Sequence, residues 1–215
     1  MGAKIKGAGS SQIEIEGVKQ LKDVSYNIMS DRIEAGTFLC IAAMNHSNII
    51  VKNIDEDHII PIIDKLEEAG CELQIEDRQI QIKAPKKLKS VNIKTMPYPG
   101  FPTDMQSIFA TLLTTAKGSS IIVENIFENR YRHIPELVRM GAAVKTEGKV
   151  AVAEGVEILY GASVEAPDLR GGAALVVAGL CAEGKTEIGG VEYIERGYEC
   201  IESTLTSIGA DIKKI

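Results

Sequence analysis

What the sequence is short of narrows its chemistry first. Its four cysteines, Cys40, Cys71, Cys181 and Cys200, form no Cys-x-x-Cys pair, the spacing that zinc and redox sites need. They stand in apolar stretches and are expected to be buried, reduced thiols of a cytoplasmic protein. The three histidines, His46, His58 and His133, are scattered and suggest no zinc site. Positive charge is also in deficit. A formal net charge of −6 argues against a protein that coats nucleic acid, although a local cationic pocket is compatible with it. No apolar run approaches the ~20 residues of a membrane-spanning helix, and no signal peptide is expected. What is present is ordinary for a globular protein, with 45% hydrophobic and 25% charged residues. The 215 residues suffice for one large domain or two small ones with a real core.

The main positive signal is a repeat. "DRIEAGTFLCIAAM", "TDMQSIFATLLTTAKG" and "DLRGGAALVVAGLCAEG" each read as an apolar helix that follows an aspartate (Asp31, Asp104 and Asp168). After each comes a short β-rich segment ("SNIIVKNI", "SSIIVENI", "KTEIGGV"), then an amphipathic helix that ends at a glycine, then another strand. Ile59, Ile62, Ile63 and Leu66 follow the helical i, i+3, i+4, i+7 rule, and Ile134, Leu137 and Val138 continue it in the second copy. Gly70, Gly141 and Gly209 stand where a left-handed cap would end each second helix. "LQIEDRQIQIKA" and "VKTEGKVAVAEGV" alternate with the period of two expected of hairpins. The opening "MGAKIKGAGSSQIEIEGV" matches the helix end and hairpin of the second unit. It reads as the tail of a fourth unit whose helices lie elsewhere, as in a piece of a longer protein.

The stretch "YPGFPTDMQSIF" stiffens the chain before one carboxylate. Pro99 and Pro102 disfavour helix in the residues before them. Thr103 reads as the helix N-cap, with Gln106 completing a capping box. Asp104 falls in the first turn, where its charge suits the helix dipole. Charged clusters open the second helices: Asn129-Arg130-Tyr131 in the second unit, Glu195-Arg196-Gly197 in the third, and Glu56-Asp57, with no arginine, in the first. Arg170 stands two residues past Asp168. Arginines at helix N-termini, converging on the face that holds Asp104, point to an anion site. A purely structural alternative pairs Asp168 with Arg170, and Arg130 and Arg196 with Glu128, Glu195 or water.

"PYPGFPTDMQ", "IFENRYRHIPELVRMGA", "DLR" with "AALVVAGL", and "ERGYECIE" together resemble the UDP-N-acetylglucosamine 1-carboxyvinyltransferases, a branch of the enolpyruvyl transferase family. The resemblance covers essentially the whole chain, as the C-terminal half of such an enzyme. It implies an α/β fold class: one inside-out α/β barrel domain of the enolpyruvyl transferase type, with three βαβαββ repeats about a pseudo-threefold axis. That domain would span residues 30–215, with units near 31–97, 98–163 and 164–215. Residues 1–29 would be a strand remnant of the second, catalytic-cysteine domain and the linker to it.

The activity implied is transfer of the enolpyruvyl group of phosphoenolpyruvate to the 3′-hydroxyl of UDP-N-acetylglucosamine in peptidoglycan synthesis, with no cofactor and no metal. By motif, Asp104 contacts that hydroxyl as the proposed base, and Ile126 offers its backbone carbonyl to the sugar nucleotide. Arg130, Arg170 and Arg196 face the carboxylate and phosphate of phosphoenolpyruvate, and Asp104, Arg170 and Arg196 carry the catalysis. Glu195 departs from the aspartate common before the arginine of the RGY segment. None of the four cysteines matches the catalytic one. The implied partners are the two substrates and the missing N-terminal half, with a homodimer through exposed surfaces as a further expectation and no nucleic acid or membrane. Alone, the chain is expected to be inactive. The competing readings are the shikimate 3-phosphate branch, which shares the fold, and a stand-alone sugar-nucleotide-binding or regulatory domain.

Overall fold

Helices that are apolar on every side have no face to offer water, and three such segments meet at the centre of the molecule. The computed structural model describes all residues, 1–215. An antiparallel hairpin of β1 (Lys4–Lys6) and β2 (Glu14–Glu16) comes first. The first unit holds α1 (Arg32–Met44), β3 (Asn48–Lys52), α2 (Ile60–Glu68), β4 (Glu72–Glu76) and β5 (Gln79–Lys83). The second holds β6 (Ile93–Lys94), α3 (Gln106–Leu113), β7 (Ser119–Val123), α4 (Ile134–Arg139), β8 (Ala143–Glu147) and β9 (Val150–Glu154). The third holds β10 (Ser163–Glu165), α5 (Leu169–Cys181), β11 (Glu187–Gly189), α6 (Val191–Glu195) and α7 (Ile201–Ser207).

Every residue of α3 is buried, as is α5 from Gly171 to Ala178, and α1 apart from Arg32, Glu34 and Phe38. These three helices pack on one another, and the sheets lie outside them. The arrangement inverts the usual barrel, and one contiguous core draws on all three units. Close approach is built in at Gly172, where a Cβ would come within 2.6 Å of Ile194. The outer sheets are β3-β5-β4, β6-β7-β9-β8 and β10-β11. In the second and third units the first strand runs parallel to the strand after the apolar helix, and in the first and second the hairpin returns antiparallel. Ile80 and Ile82 on β5, and Ala151 and Ala153 on β9, are the inward halves of the alternation. Asp77 and Arg78 both take positive φ, the two-residue turn that matches strand twist.

The expected caps form at the helix ends: Gly70, Gly141 and Gly209 have φ of 99°, 94° and 103°. At the helix starts the three aspartates divide. The Asp31 carboxylate accepts from the N–H groups of Ile33 and Glu34 at 2.7 and 3.2 Å, and Asp168 accepts from Gly171 N–H at 2.8 Å. Asp104 caps nothing. Asp31→Ala, which leaves two amides of α1 without their acceptor, is expected to cost about 1 kcal/mol of stability, read as a shifted midpoint in urea unfolding.

Several expectations need correction. Val138 is exposed, because α4 is only six residues long and Ile134 and Leu137 alone meet the core. Residues 210–215 form no strand although they follow Gly209 as strands follow the other two glycines. In the other two units the strand at this place is bonded antiparallel by the next one, β4 by β5 and β8 by β9, whereas β11 bonds only to β10. Cys40 and Cys71 are buried free thiols, but Cys181 is only half-buried and Cys200 is exposed.

Residues 1–29 are exposed throughout. Their hairpin pairs Ile5 with Ile15 three residues after Gly2, whose φ is 88°. The hairpin β4–β5 pairs Leu73 with Ile82 at the same distance from Gly70. Ile80 and Ile82 are wholly buried, while Ile13 and Ile15 are 58% and 69% exposed.

Candidate active site

Pro102 holds an extended φ/ψ and is followed by a single 3-10 turn, Thr103–Met105, that runs directly into α3. The capping box read from the sequence does not form. The turn closes on itself through Met105 N–H to Pro102 C=O (3.0 Å), and the Thr103 hydroxyl instead donates to Glu124 Oε2 at 3.0 Å. Gln106 is buried, and its Nε2 has no protein partner. The turn frees Asp104 from capping and aims its carboxylate at the junction of the three units.

Two arginines meet it there, one on each oxygen. Arg130 Nη2 donates to Oδ1 at 2.6 Å, and Arg170 Nη2 donates to Oδ2 at 3.1 Å. Both guanidiniums are only 14% exposed while the carboxylate is 40% exposed. Two cations thus share one anion at a surface that ligands can reach, and one positive charge is left over. Charge-assisted, planar contacts of this kind suit carboxylate and phosphate oxygens.

Each arginine is braced from behind. Arg130 lies over the Phe127 ring at 4.9 Å and also reaches the Thr103 carbonyl at 3.4 Å. Arg170, the second residue of α5, stands 5.9 Å from the centre of the Tyr198 ring and donates to its hydroxyl at 3.5 Å. That hydroxyl is 2.8 Å from Thr37 Oγ1, and Thr37 spends its own proton on Ile33 C=O (2.8 Å). Tyr198 therefore donates to Thr37 and accepts from Arg170. Burial raises the Tyr198 phenol above its ordinary range, which keeps that proton in place. His133 is buried beside the Arg130 loop, and burial lowers it to about 4, so it adds no charge at neutral pH. The first unit supplies Thr37, the second Asp104 and Arg130, and the third Arg170 and Tyr198.

Arg196 does not join this cluster. The sequence placed it at a helix N-terminus, but α6 ends at Glu195 and Arg196 is its C-cap. There the carbonyl end of the helix faces it. It is exposed, makes no ion pair, and lines an open cleft with Glu34, Tyr198 and Glu199. Arg130 likewise precedes α4 in a loop and is not at its first turn. The purely structural alternative fails for Arg170 and Arg130, since Asp168 caps α5 and both arginines go to Asp104. It does describe Arg196, which is solvated while Glu195 pairs with Lys214. Ile126 is partly exposed, and its carbonyl receives no protein hydrogen bond. Tyr198, Thr37 and Phe127 were not legible as site residues, since each reads locally as an ordinary helix or loop position.

The family model described as EPSP synthase (3-phosphoshikimate 1-carboxyvinyltransferase) matches residues 1–205. UDP-N-acetylglucosamine 1-carboxyvinyltransferase 1 of Caldanaerobacter subterraneus subsp. tengcongensis is 51% identical over 99% of this chain and 51% of its own length. The UDP-N-acetylglucosamine 1-carboxyvinyltransferase of Desulfofundulus thermocisternus is 53% identical over 99% of this chain and 88% of its own length. Among solved structures, the enolpyruvyl transferase NikO from Streptomyces tendae superposes with a TM-score of 0.85 at 26% identity, over 99% of this chain and 51% of that one. EPSP synthase from Acinetobacter baumannii gives 0.76 at 18% identity, over 99% and 53%, and shares the fold. The chain spans about half the length of most of the curated relatives it matches.

Proposed function

We propose that this chain, which belongs to the EPSP synthase (3-phosphoshikimate 1-carboxyvinyltransferase) family of enolpyruvyl transferases, forms one wall of an enolpyruvyl transfer site. The substrates are phosphoenolpyruvate and the 3′-hydroxyl of UDP-N-acetylglucosamine, in cytoplasmic peptidoglycan synthesis. The observation that carries this reading is the half-exposed Asp104 carboxylate held between two nearly buried arginines from different units. The names of the relatives at 51% and 53% identity favour the nucleotide sugar over shikimate 3-phosphate as acceptor.

In the reaction the sugar oxygen bonds to the central carbon of phosphoenolpyruvate, the hydroxyl proton is taken up, and inorganic phosphate leaves. Asp104 points its free lone pairs outward and accepts from the hydroxyl, which orients the attacking oxygen. Arg130 and Arg170 offer the remaining N–H groups to the carboxylate and phosphate, whose charge they offset as the bond to phosphate breaks. Arg196, exposed in the cleft that it lines with Tyr198, supplies a further cation once substrate is present, and the Ile126 carbonyl receives a donor of the sugar nucleotide.

The opposite wall, with the cysteine that acts as general acid, belongs to a second domain, and residues 1–29 lead towards it. Without that domain the exposed hairpin and inner face favour self-association into a homodimer. The purified chain with both substrates is expected to release no phosphate above background, and addition of the other half of a relative is expected to restore release. Phosphate release by the chain alone would contradict the division of labour, and a reconstituted pair that stays silent would contradict the function.

A further inference from the structure

Glu124 follows β7 and is 1% exposed, an expensive place for a carboxylate unless its oxygens are fully used. They are. Oε1 accepts from the Thr95 hydroxyl at 2.9 Å, from Ile126 N–H at 2.7 Å and from Phe127 N–H at 3.0 Å. Oε2 accepts from the Thr103 hydroxyl at 3.0 Å. Thr95 Oγ1 in turn accepts from Asn125 N–H at 2.8 Å, and Asn125 Nδ2 returns to the Thr95 carbonyl at 3.1 Å. One buried side chain therefore ties the end of β6 to two separate stretches of backbone. One is the turn that carries Asp104. The other is the loop that carries Ile126, Phe127 and Arg130.

We infer that Glu124 is the positioning residue of the nucleotide-sugar subsite, an inference that rests on the functional reading above. The two groups assigned to the sugar nucleotide, the Asp104 carboxylate and the Ile126 carbonyl, lie on the two segments that Glu124 joins. With Phe127 N–H drawn to Oε1, the trans peptide that it shares with the Ile126 carbonyl is fixed, and that carbonyl is aimed away from the buried carboxylate. With its hydroxyl drawn to Oε2, Thr103 fixes the residue before Asp104. Arg170, assigned to phosphoenolpyruvate, is braced independently by Tyr198. Arg130, also assigned to phosphoenolpyruvate, rests on Phe127 of the tied loop, so loss of Glu124 should harm the nucleotide sugar more than phosphoenolpyruvate, which keeps Arg170.

Glu124→Gln keeps the shape but turns one of the two acceptor oxygens into a donor, so either the Oε1 or the Oε2 set is lost or weakened. Hydrogen bonds to a charged group are strong enough that roughly tenfold weaker binding of UDP-N-acetylglucosamine is expected. Phosphoenolpyruvate binding by the same protein should fall by a clearly smaller factor, because Arg170 keeps its brace on Tyr198, and a merely destabilised fold would not reproduce that difference. Amide exchange at Ile126 and Phe127 should rise by about the same factor, while amides within α5 stay protected. Thr103→Val is the milder companion. It cuts only the link to the Asp104 turn, and should weaken the nucleotide sugar while leaving the Ile126 and Phe127 amides protected. Titrations of the 215-residue chain paired with its complementing half, followed by NMR, give all of these readings. Variants that bind the nucleotide sugar as wild type does overturn this inference alone, and so does equal loss of both substrates. A wild-type pair that takes no nucleotide sugar overturns the functional reading and this inference with it.

Discussion

Asp104→Asn, in protein supplied with its other half, is expected to slow enolpyruvyl transfer by roughly 10²–10⁴-fold, the usual contribution of a positioned acid or base. The amide has the same outline but can turn only one oxygen to its neighbours. Its NH₂ then faces either Arg130 or Arg170, and two donors confront each other where 2.6 and 3.1 Å ion pairs now stand. The attacking hydroxyl loses its acceptor in the same step. Because both guanidiniums are nearly buried, the variant also loses stability, so rates are to be compared per folded molecule after a thermal melt. A variant within twofold of wild type on that basis would show that Asp104 merely pairs with its arginines.

Arg170→Ala is expected to lower kcat/KM for phosphoenolpyruvate by about 10²–10³-fold, the scale seen when one preorganised donor to developing charge is removed. The effect should fall on phosphoenolpyruvate, because the Ile126 carbonyl assigned to the nucleotide sugar lies on the loop held by Glu124 and not on α5. Lysine should not rescue it, since a point charge cannot face Asp104 and substrate in one plane while resting on Tyr198. Steady-state kinetics with each substrate varied in turn would check this, and an Arg170→Ala enzyme whose phosphoenolpyruvate dependence is unchanged would remove Arg170 from the site.

Much of the architecture was legible because it is local. The left-handed glycines at 70, 141 and 209, the alternation in β5 and β9, and the all-round apolar character of α1, α3 and α5 are each written into a few neighbouring residues. The pairing of Asp104 with Arg130 and Arg170 is another matter. Repeat position suggested convergence, but the same letters also allowed Asp168 to hold Arg170. What separates the cases is that Asp168 has an extended backbone and spends its carboxylate on the cap, which no spacing rule reveals. Thr103 misled for a related reason. A threonine before a helix normally accepts from an amide, yet a buried carboxylate brought in from β7 claimed its proton instead. Arg196 was misplaced because the sequence reads as opening the second helix at residues 195–197, whereas "VEYIERGYECIE" folds as a short helix ending at Glu195, a break at residues 196–200 and a second helix from Ile201. The missing strand at residues 210–215 shows that the place after a helix-ending glycine does not by itself specify a strand: β4 and β8, which hold that place in the other units, are each bonded by a hairpin partner, β5 and β9.

The most direct test of enolpyruvyl transfer is the identity of the product. Chain and complementing half are incubated with phosphoenolpyruvate and equal amounts of UDP-N-acetylglucosamine and shikimate 3-phosphate, and the products are resolved by mass spectrometry. The predicted result is a nucleotide sugar carrying one enolpyruvyl group, with one phosphate released for each and shikimate 3-phosphate untouched. Enolpyruvyl shikimate 3-phosphate as the product, or phosphate released with neither acceptor modified, would contradict it.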